Sequence, residues 1–228
     1  MTNIGYPIVL NLAGKTVLVV GAGPVGRRKV ARLRVAGAFV RVVALEERHV
    51  DFHGDAQIDW QTSGYAKGQL LGVALVFAAA TESINREVVR DAQSLGLFVN
   101  SASDPDSGDF ELPAIVQRGR FSLAISTGGA SPAFARAVKR KLENEFDESY
   151  GAYVELLSAI RETLLAELPD PERRQEMLRE LAEEKWFEQF RHEGAAAMRT
   201  AFAVAVGHVF NVPNSAHHPT ESREERSA

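Results

Sequence analysis

The chain has 228 residues, 45% hydrophobic and 25% charged, which suffices for one large globular domain or two small ones. A formal net charge of −4 argues against a general nucleic-acid binder, which carries a basic surplus. There is no cysteine, so disulfides, thiolate nucleophiles and cysteine-held zinc or iron–sulfur sites are excluded.

Residues 1–12 have neither the basic start nor the apolar run of a signal peptide. Thr16–Val20 is a short β-branched apolar run without alternation, as in a strand buried on both faces of a parallel sheet. A glycine-rich turn follows, then residues 24–36 read as a helix closed by Gly37, and residues 39–45 repeat the strand signal. Further on, residues 74–79 read as a strand, 83–95 as a helix stopped by Gly96, and 97–100 as another strand. The longest apolar stretch, residues 73–80, is far short of the ~20 residues a membrane helix needs. A soluble, cytoplasmic protein without membrane or nucleic-acid partners is expected.

Strands alternating with helices at this spacing imply βαβ units and an α/β fold with a Rossmann-type parallel sheet. Right-handed crossovers would bring Gly21, Ala80 and Asn100 to one sheet edge, where ligands bind in open α/β sheets. Gly21-Ala22-Gly23-Pro24-Val25-Gly26 matches G-x-G-x-x-G after a strand and before a helix. In that motif Gly21 permits a tight turn, Gly23 admits a pyrophosphate, and Gly26 lets the helix pack closely. An acid ~20 residues on would hold the adenosine ribose, and Glu46 stands there. Because Arg48 lies only two residues beyond, the choice of NAD over NADP is a preference. Ala80 and Thr81, with Ala79, would line the cofactor cleft, and Asn100 is a candidate polar group near the nicotinamide.

After Pro113 the character changes. Residues 121–126 form one more strand, and Pro132–Glu145 a helix with a basic middle. Ser126-Thr127-Gly128-Gly129-Ala130-Ser131 reads as a loop ending in Ser131 as N-cap with Pro132 at the first helical position. Its free N–H groups could hold a carboxylate. Arg118, Arg120, Arg136, Lys139, Arg140 and Lys141 cluster in an otherwise acidic chain, and Arg136 and Arg140 share a helix face. Such arginines suit carboxylates, though a solvated basic face explains them too. From Tyr150 the chain reads as helical to about Phe210, interrupted at Pro169-Asp170-Pro171, with one helical segment over about residues 172–192. Residues 211–228 are polar and read as a disordered tail; His217-His218 there is only superficially a metal pair. The division expected is a NAD-binding domain over 1–113, a dimerisation segment over 114–149, a helical region over 150–210 and the tail.

Several segments taken together resemble the precorrin-2 dehydrogenase family, including the N-terminal half of multifunctional siroheme synthases. They are Tyr6-Pro7 with Leu10; the glycine turn running on into Arg27-Arg28-Lys29; Ala79-Ala80-Thr81 with Asn85; Asn100 with Pro105, Phe110 and Pro113; and the loop from Ser126 to Ala133, followed by Arg136, Lys139, Arg140 and Lys141-Leu142-Glu143. The resemblance spans roughly residues 4–147. It implies NAD-dependent oxidation of precorrin-2, a carboxylate-rich tetrapyrrole, to sirohydrochlorin. It also implies a homodimer whose contact lies after the Rossmann sheet, with Ser126, Thr127, Gly128, Gly129, Ser131, Arg136 and Arg140 on the substrate side. Some members insert ferrous iron as well. The family places an aspartate, its candidate acid–base residue, three residues after the asparagine. Here Ser103 holds that place and Asp104 follows it, so the candidates are Asp104, Ser103 and Asn100. Four readings stay open: dehydrogenase alone; a bifunctional dehydrogenase and chelatase using Asp104; a non-catalytic NAD-binding sensor; and an unrelated Rossmann oxidoreductase.

Overall fold

The computed structural model describes residues 5–205. They form two compact units, one made by the chain up to Pro113 with Ser126–Ala135, the other by Ala114–Ile125 with the chain from Arg136 onward.

The first unit is built on a parallel sheet of five strands, β1 (Thr16–Val20), β2 (Phe39–Ala44), β3 (Ile58–Thr62), β4 (Leu75–Ala78) and β5 (Val99–Ser101), in the order β3-β2-β1-β4-β5. Helix α1 (Pro24–Val35) links β1 to β2, and α2 (Glu82–Ser94) links β4 to β5. Strand order reverses between β1 and β4, so the two right-handed crossovers put their helices on opposite faces. Strand side chains alternate between faces. Val17 and Val19 of β1 accordingly pack with Val30 and Leu33 of α1, while Leu18 and Val20 pack with Val88, Val89 and Ala92 of α2. Burial on both faces is what gives β1 its unbroken apolar run.

The sequence reading passes over β3. This edge strand pairs only with β2 and buries only Ile58, while Asp59 faces Arg41 of β2 at 3.2 Å. A strand with one partner and one buried side chain has no continuous apolar signature to read.

In the second unit β6 (Ala114–Arg118) and β7 (Phe121–Ile125) form a separate antiparallel pair. The strand expected over residues 121–126 is thus one arm of a hairpin, not an addition to the parallel sheet. Helix α3 (Pro132–Glu145) starts in the first unit and runs into the second, where α4 (Glu148–Glu167), α5 (Pro171–Glu180) and α6 (Glu184–Ala205) follow. Tyr153, Leu156, Ile160 and Leu164 of α4 are buried with Met177, Leu181, Trp186 and Met198, whereas Leu165 is exposed. The single helix expected over residues 172–192 is two, broken between Glu180 and Glu184. At ~100° per residue, Leu181 and Trp186 would lie ~140° apart on a straight helix. The break lets both enter one core, and Tyr153 Oη donates to the freed Leu181 carbonyl at 2.5 Å. A second departure from helical geometry occurs inside α6 at Gly194. The end of the expected helix near residue 210, the tail over 211–228 and His217-His218 lie outside the described residues.

Candidate functional site

Gly21, Ala80 and Asn100 lie at or next to the C-terminal ends of β1, β4 and β5. Gly21 has φ of 99°, and a Cβ on it would stand 2.4 Å from the Ala79 carbonyl oxygen. The turn after β1 therefore touches the segment after β4, and only glycine fits. A Cβ on Gly26 would come within 2.0 Å of the Gly21 carbonyl oxygen, so α1 can seat under the turn only with glycine there.

Gly23 differs. It is the N-cap of α1 with φ of −63°, and a Cβ on it would meet nothing within 4 Å. The fold does not require glycine at this position; its absent side chain leaves an open approach to the helix end. Pro24 occupies the first helical position, Ala22 packs against the α1-side core and Val25 is exposed. No side chain caps α1 and its first turn holds no acid. The first-turn N–H groups and the positive end of the dipole are thus available to an anion. These residues fit a dinucleotide pyrophosphate.

Glu46 is exposed two residues beyond β2, and its backbone carbonyl accepts from Trp60 Nε1 at 3.1 Å. Arg48 is committed elsewhere: its Nη2 donates to the Asp55 and Ile58 carbonyls at 2.7 and 3.2 Å.

Across the crevice Ala80 is held by Asn85 of α2, which is almost wholly buried. The Asn85 Oδ1 accepts from the Ala80 N–H at 2.9 Å, and its Nδ2 donates to the Ala80 carbonyl at 3.3 Å and to Ser103 Oγ at 2.9 Å. Thr81 is the N-cap residue of α2, with its hydroxyl 3.2 Å from Ser83 Oγ.

Asn100 is 8% exposed, and both ends of its amide are engaged. Oδ1 accepts from Lys29 Nζ at 2.7 Å, and Nδ2 donates to the Phe110 carbonyl at 2.9 Å. The Lys29 ammonium lies 4.6 Å from the centroid of the Phe77 ring. Burial, reinforced by Arg28 and Arg32, brings its pKa down to about 8. Beyond Asn100, Ser103 and Asp104 are treated differently by the loop. The Ser103 hydroxyl is tied to Asn85, whereas Asp104 is exposed and uses its backbone, donating to Ser101 Oγ at 3.2 Å and accepting from Ser107 Oγ at 2.8 Å. The Asp104 carboxylate has no partner among the described residues.

The loop from Ser126 to Ser131 organises itself. Ser126 Oγ donates to Glu111 and accepts from the Gly128 N–H at 2.9 Å, while Thr127 Oγ1 accepts from the Ser131 N–H at 3.0 Å. Ser131 Oγ takes the Phe134 N–H at 3.2 Å, which is N-cap geometry on α3. Gly128 and Gly129 have φ of 58° and 78° and nothing within 4 Å of a built Cβ, so they leave open space at the turn. Ser126 to Ser131 belong with the glycine turn, Asn100 and Asp104 to the first unit, whereas Arg136 and Arg140 belong to the second.

Within the second unit the basic cluster separates into two kinds. Arg118 is spent on the Phe146 and Glu143 carbonyls at 3.0 Å, Arg120 on Ser158 at 3.0 Å, and Lys139 on Glu143 at 2.6 Å. Arg136 and Arg140 are exposed and make no hydrogen bond or ion pair among the described residues, though Glu143, whose carboxyl the Lys139 hydrogen bond holds below the ordinary value, lies near enough for Arg140 to add to that effect. No group of three or more His, Asp or Glu among the described residues could hold a metal ion.

Sequence reading gives no role to Lys29 or Asn85. The available signals are an asparagine, a weak helix former, one turn into α2, and a lysine one position from the buried Val30.

Two family models match the chain: putative NAD(P)-binding over residues 8–114, and sirohaem biosynthesis protein, central, over residues 118–145. The siroheme synthase of Nitrosococcus oceani is 40% identical over 148 residues, covering 64% of this chain and 32% of that protein. The siroheme synthase of Neisseria meningitidis serogroup C is 33% identical over 197 residues, covering 85% of this chain and 39% of that protein. The chain thus spans 32–39% of the length of these curated relatives. Among solved structures, SirC, precorrin-2 dehydrogenase, superposes with a TM-score of 0.69 at 27% identity, covering 88% of this chain and all of that one.

Proposed function

We propose, from the premise that this chain belongs over residues 8–145 to the siroheme-biosynthesis family of NAD(P)-binding proteins, that it oxidises precorrin-2 to sirohydrochlorin with NAD as acceptor. The observation that carries the reading is the N-terminus of α1 at Gly23, which no side chain caps among the described residues and which is open to a pyrophosphate, in a chain of which 88% superposes on a precorrin-2 dehydrogenase.

The oxidation removes a hydride and a proton from the tetrapyrrole. NAD, when bound, supplies the two-electron acceptor for the hydride. The protein's part is orientation, which by itself supplies much of the rate of such a step, and a place for the proton. The α1 N-terminus would hold the pyrophosphate, and Glu46 the adenosine ribose. The choice of NAD over NADP is supported by Arg48, whose guanidinium is bound to two carbonyls and is not free for a 2′-phosphate. Asp104, adjacent to Ser103, carries an unengaged carboxylate beyond β5 and is the proposed proton acceptor, while Ser103 and Asn100 shape the loop around it. The Gly129 N–H and the Thr127 and Ser131 hydroxyls, which act only as acceptors within the loop, would receive a carboxylate of the substrate; Arg136 and Arg140 are separately proposed as carboxylate partners.

A homodimer is also proposed, with its contact in residues 114–149. The β6–β7 sheet has only two strands, so each has an unpaired edge that another strand can extend. No helix among the described residues is long and apolar enough to cross a membrane.

Anaerobic incubation with precorrin-2 and NAD tests the function. The sirohydrochlorin spectrum should develop with stoichiometric NADH and without added iron. Retained NAD binding with no spectral change would refute the dehydrogenase reading in favour of a sensor. Metal insertion on adding ferrous iron would make the enzyme bifunctional.

A further inference from the structure

The loop between Val99 and Phe110 carries both Ser103 and Asp104, and it is held at its stem, along β4, where the Ala102 N–H donates to the Ala78 carbonyl at 2.9 Å, and on its α2 and α1 faces. Its stem is closed by Asp109, whose Oδ2 accepts from the Val99 N–H at 3.0 Å and whose own N–H donates to the Val99 carbonyl at 2.8 Å. On the α2 face Ser103 is tied to Asn85, and Gln93 Nε2 donates to the Ser107 carbonyl at 3.1 Å and to Asp109 Oδ1 at 3.2 Å. On the α1 face the anchor is a relay: Lys29 Nζ to Asn100 Oδ1, and Asn100 Nδ2 to the Phe110 carbonyl.

The α1 anchor is an expensive one for the fold. Lys29 is half-buried, lies against the Phe77 ring and has no carboxylate partner among the described residues. Lysines are seldom buried without a counter-ion because desolvating the ammonium is unfavourable. The lowered pKa reports that penalty. A methionine would fill the same space against Phe77 with no charge to desolvate, so packing alone does not call for lysine. What methionine could not do is donate to Asn100 from α1, the helix whose N-terminus is open to the cofactor.

We propose that Lys29 is a positioning residue: through Asn100 it fixes the loop bearing Ser103 and Asp104 against α1, so that cofactor and loop keep one geometry during hydride transfer. The proposal rests on the dehydrogenase reading for its kinetic consequence but not for its structural one. Misplacement by about an ångström typically lowers such a rate up to about 100-fold.

The test compares the full chain with K29M and K29R. NAD affinity is measured by calorimetry, kcat and KM for precorrin-2 under anaerobic conditions, and backbone exchange over residues 102–110 by hydrogen–deuterium mass spectrometry. K29M should keep NAD affinity within about twofold, lower kcat about 10- to 100-fold with KM nearly unchanged, and speed exchange over residues 102–110 about tenfold or more. K29R, which can still donate to Asn100, should recover most of the kcat. Wild-type kcat in K29M, a loss of NAD affinity that parallels the loss of rate, or K29R no better than K29M would each overturn the proposal. If the parent protein does not oxidise precorrin-2, the dehydrogenase reading falls, and exchange then decides Lys29 by itself: unchanged protection in K29M overturns the anchor, and accelerated exchange upholds it.

Discussion

Replacing Gly23 by aspartate should yield a protein at least as stable as the parent that no longer binds NAD. The position has φ of −63° and open space around a built Cβ, so an L side chain enters without strain. It is also the N-cap of a helix that lacks a side-chain cap, where aspartate is preferred to glycine by a few tenths of a kcal/mol. A carboxylate at an unsatisfied helix N-terminus adds roughly 0.3–1 kcal/mol. Stability should therefore hold or rise by up to about 1 kcal/mol, a shift of about 2–4 °C in Tm for a chain of this size. The same carboxylate consumes the N–H donors that the pyrophosphate needs and repels it. Each hydrogen bond to a charged group contributes roughly 1.5–3 kcal/mol, so losing one or two should weaken NAD at least about 10-fold. Calorimetric titration with NAD beside thermal unfolding reads both halves. A folded G23D that binds NAD with unchanged affinity would refute the cofactor site, and a G23D that unfolds early would refute the account of the open helix end.

G26A is the steric counterpart: with its Cβ 2.0 Å from the Gly21 carbonyl oxygen, it should lower stability by about 1–3 kcal/mol, read as a lowered Tm. D104N should lower the dehydrogenation rate about 10²- to 10⁴-fold if the exposed carboxylate takes the proton, and full activity in D104N would remove it from the mechanism. S103D places a second carboxylate within reach of Asn85 and should add or raise metal insertion in a ferrous-iron assay while leaving hydride transfer intact. Lys29 gives a pH signature: with its pKa lowered from 10.5 to about 8 in the fold, the unfolded chain holds a proton that the folded one has lost between those values, so stability should climb with pH across that window. Urea unfolding at pH 8 and pH 10 should show the climb in the parent and a weaker one in K29M. Sedimentation at micromolar concentration should find a dimer, and a fully active monomer would remove the subunit contact proposed for residues 114–149.

The features legible in the sequence are those whose physical cause is local. Thr16–Val20 announces a strand buried on both faces because neither face tolerates a polar residue, and the glycine turn announces a close approach because no other residue permits it. The loop before α3 is equally plain, since Ser131 and Pro132 are the chemistry of a helix start. What the sequence could not settle depends on distant partners. β3 is invisible because its place at the sheet edge relieves it of an apolar face, and the break after α5 follows from where α4 needs Leu181 and Trp186. The motif names three glycines, but the backbone atoms that exclude a side chain at Gly21 and Gly26, and the open space at Gly23, exist only once Ala79 and Gly21 are brought into place. The same holds beyond β5, where Ser103 and Asp104 are adjacent in the chain but only Ser103 meets Asn85, 18 residues away. Local covalent and conformational rules write turns, caps and buried strands into the sequence; which polar group is tied down and which is left free is decided by contacts across 18 to 71 residues of chain, and these form only when the sheet and its helices assemble.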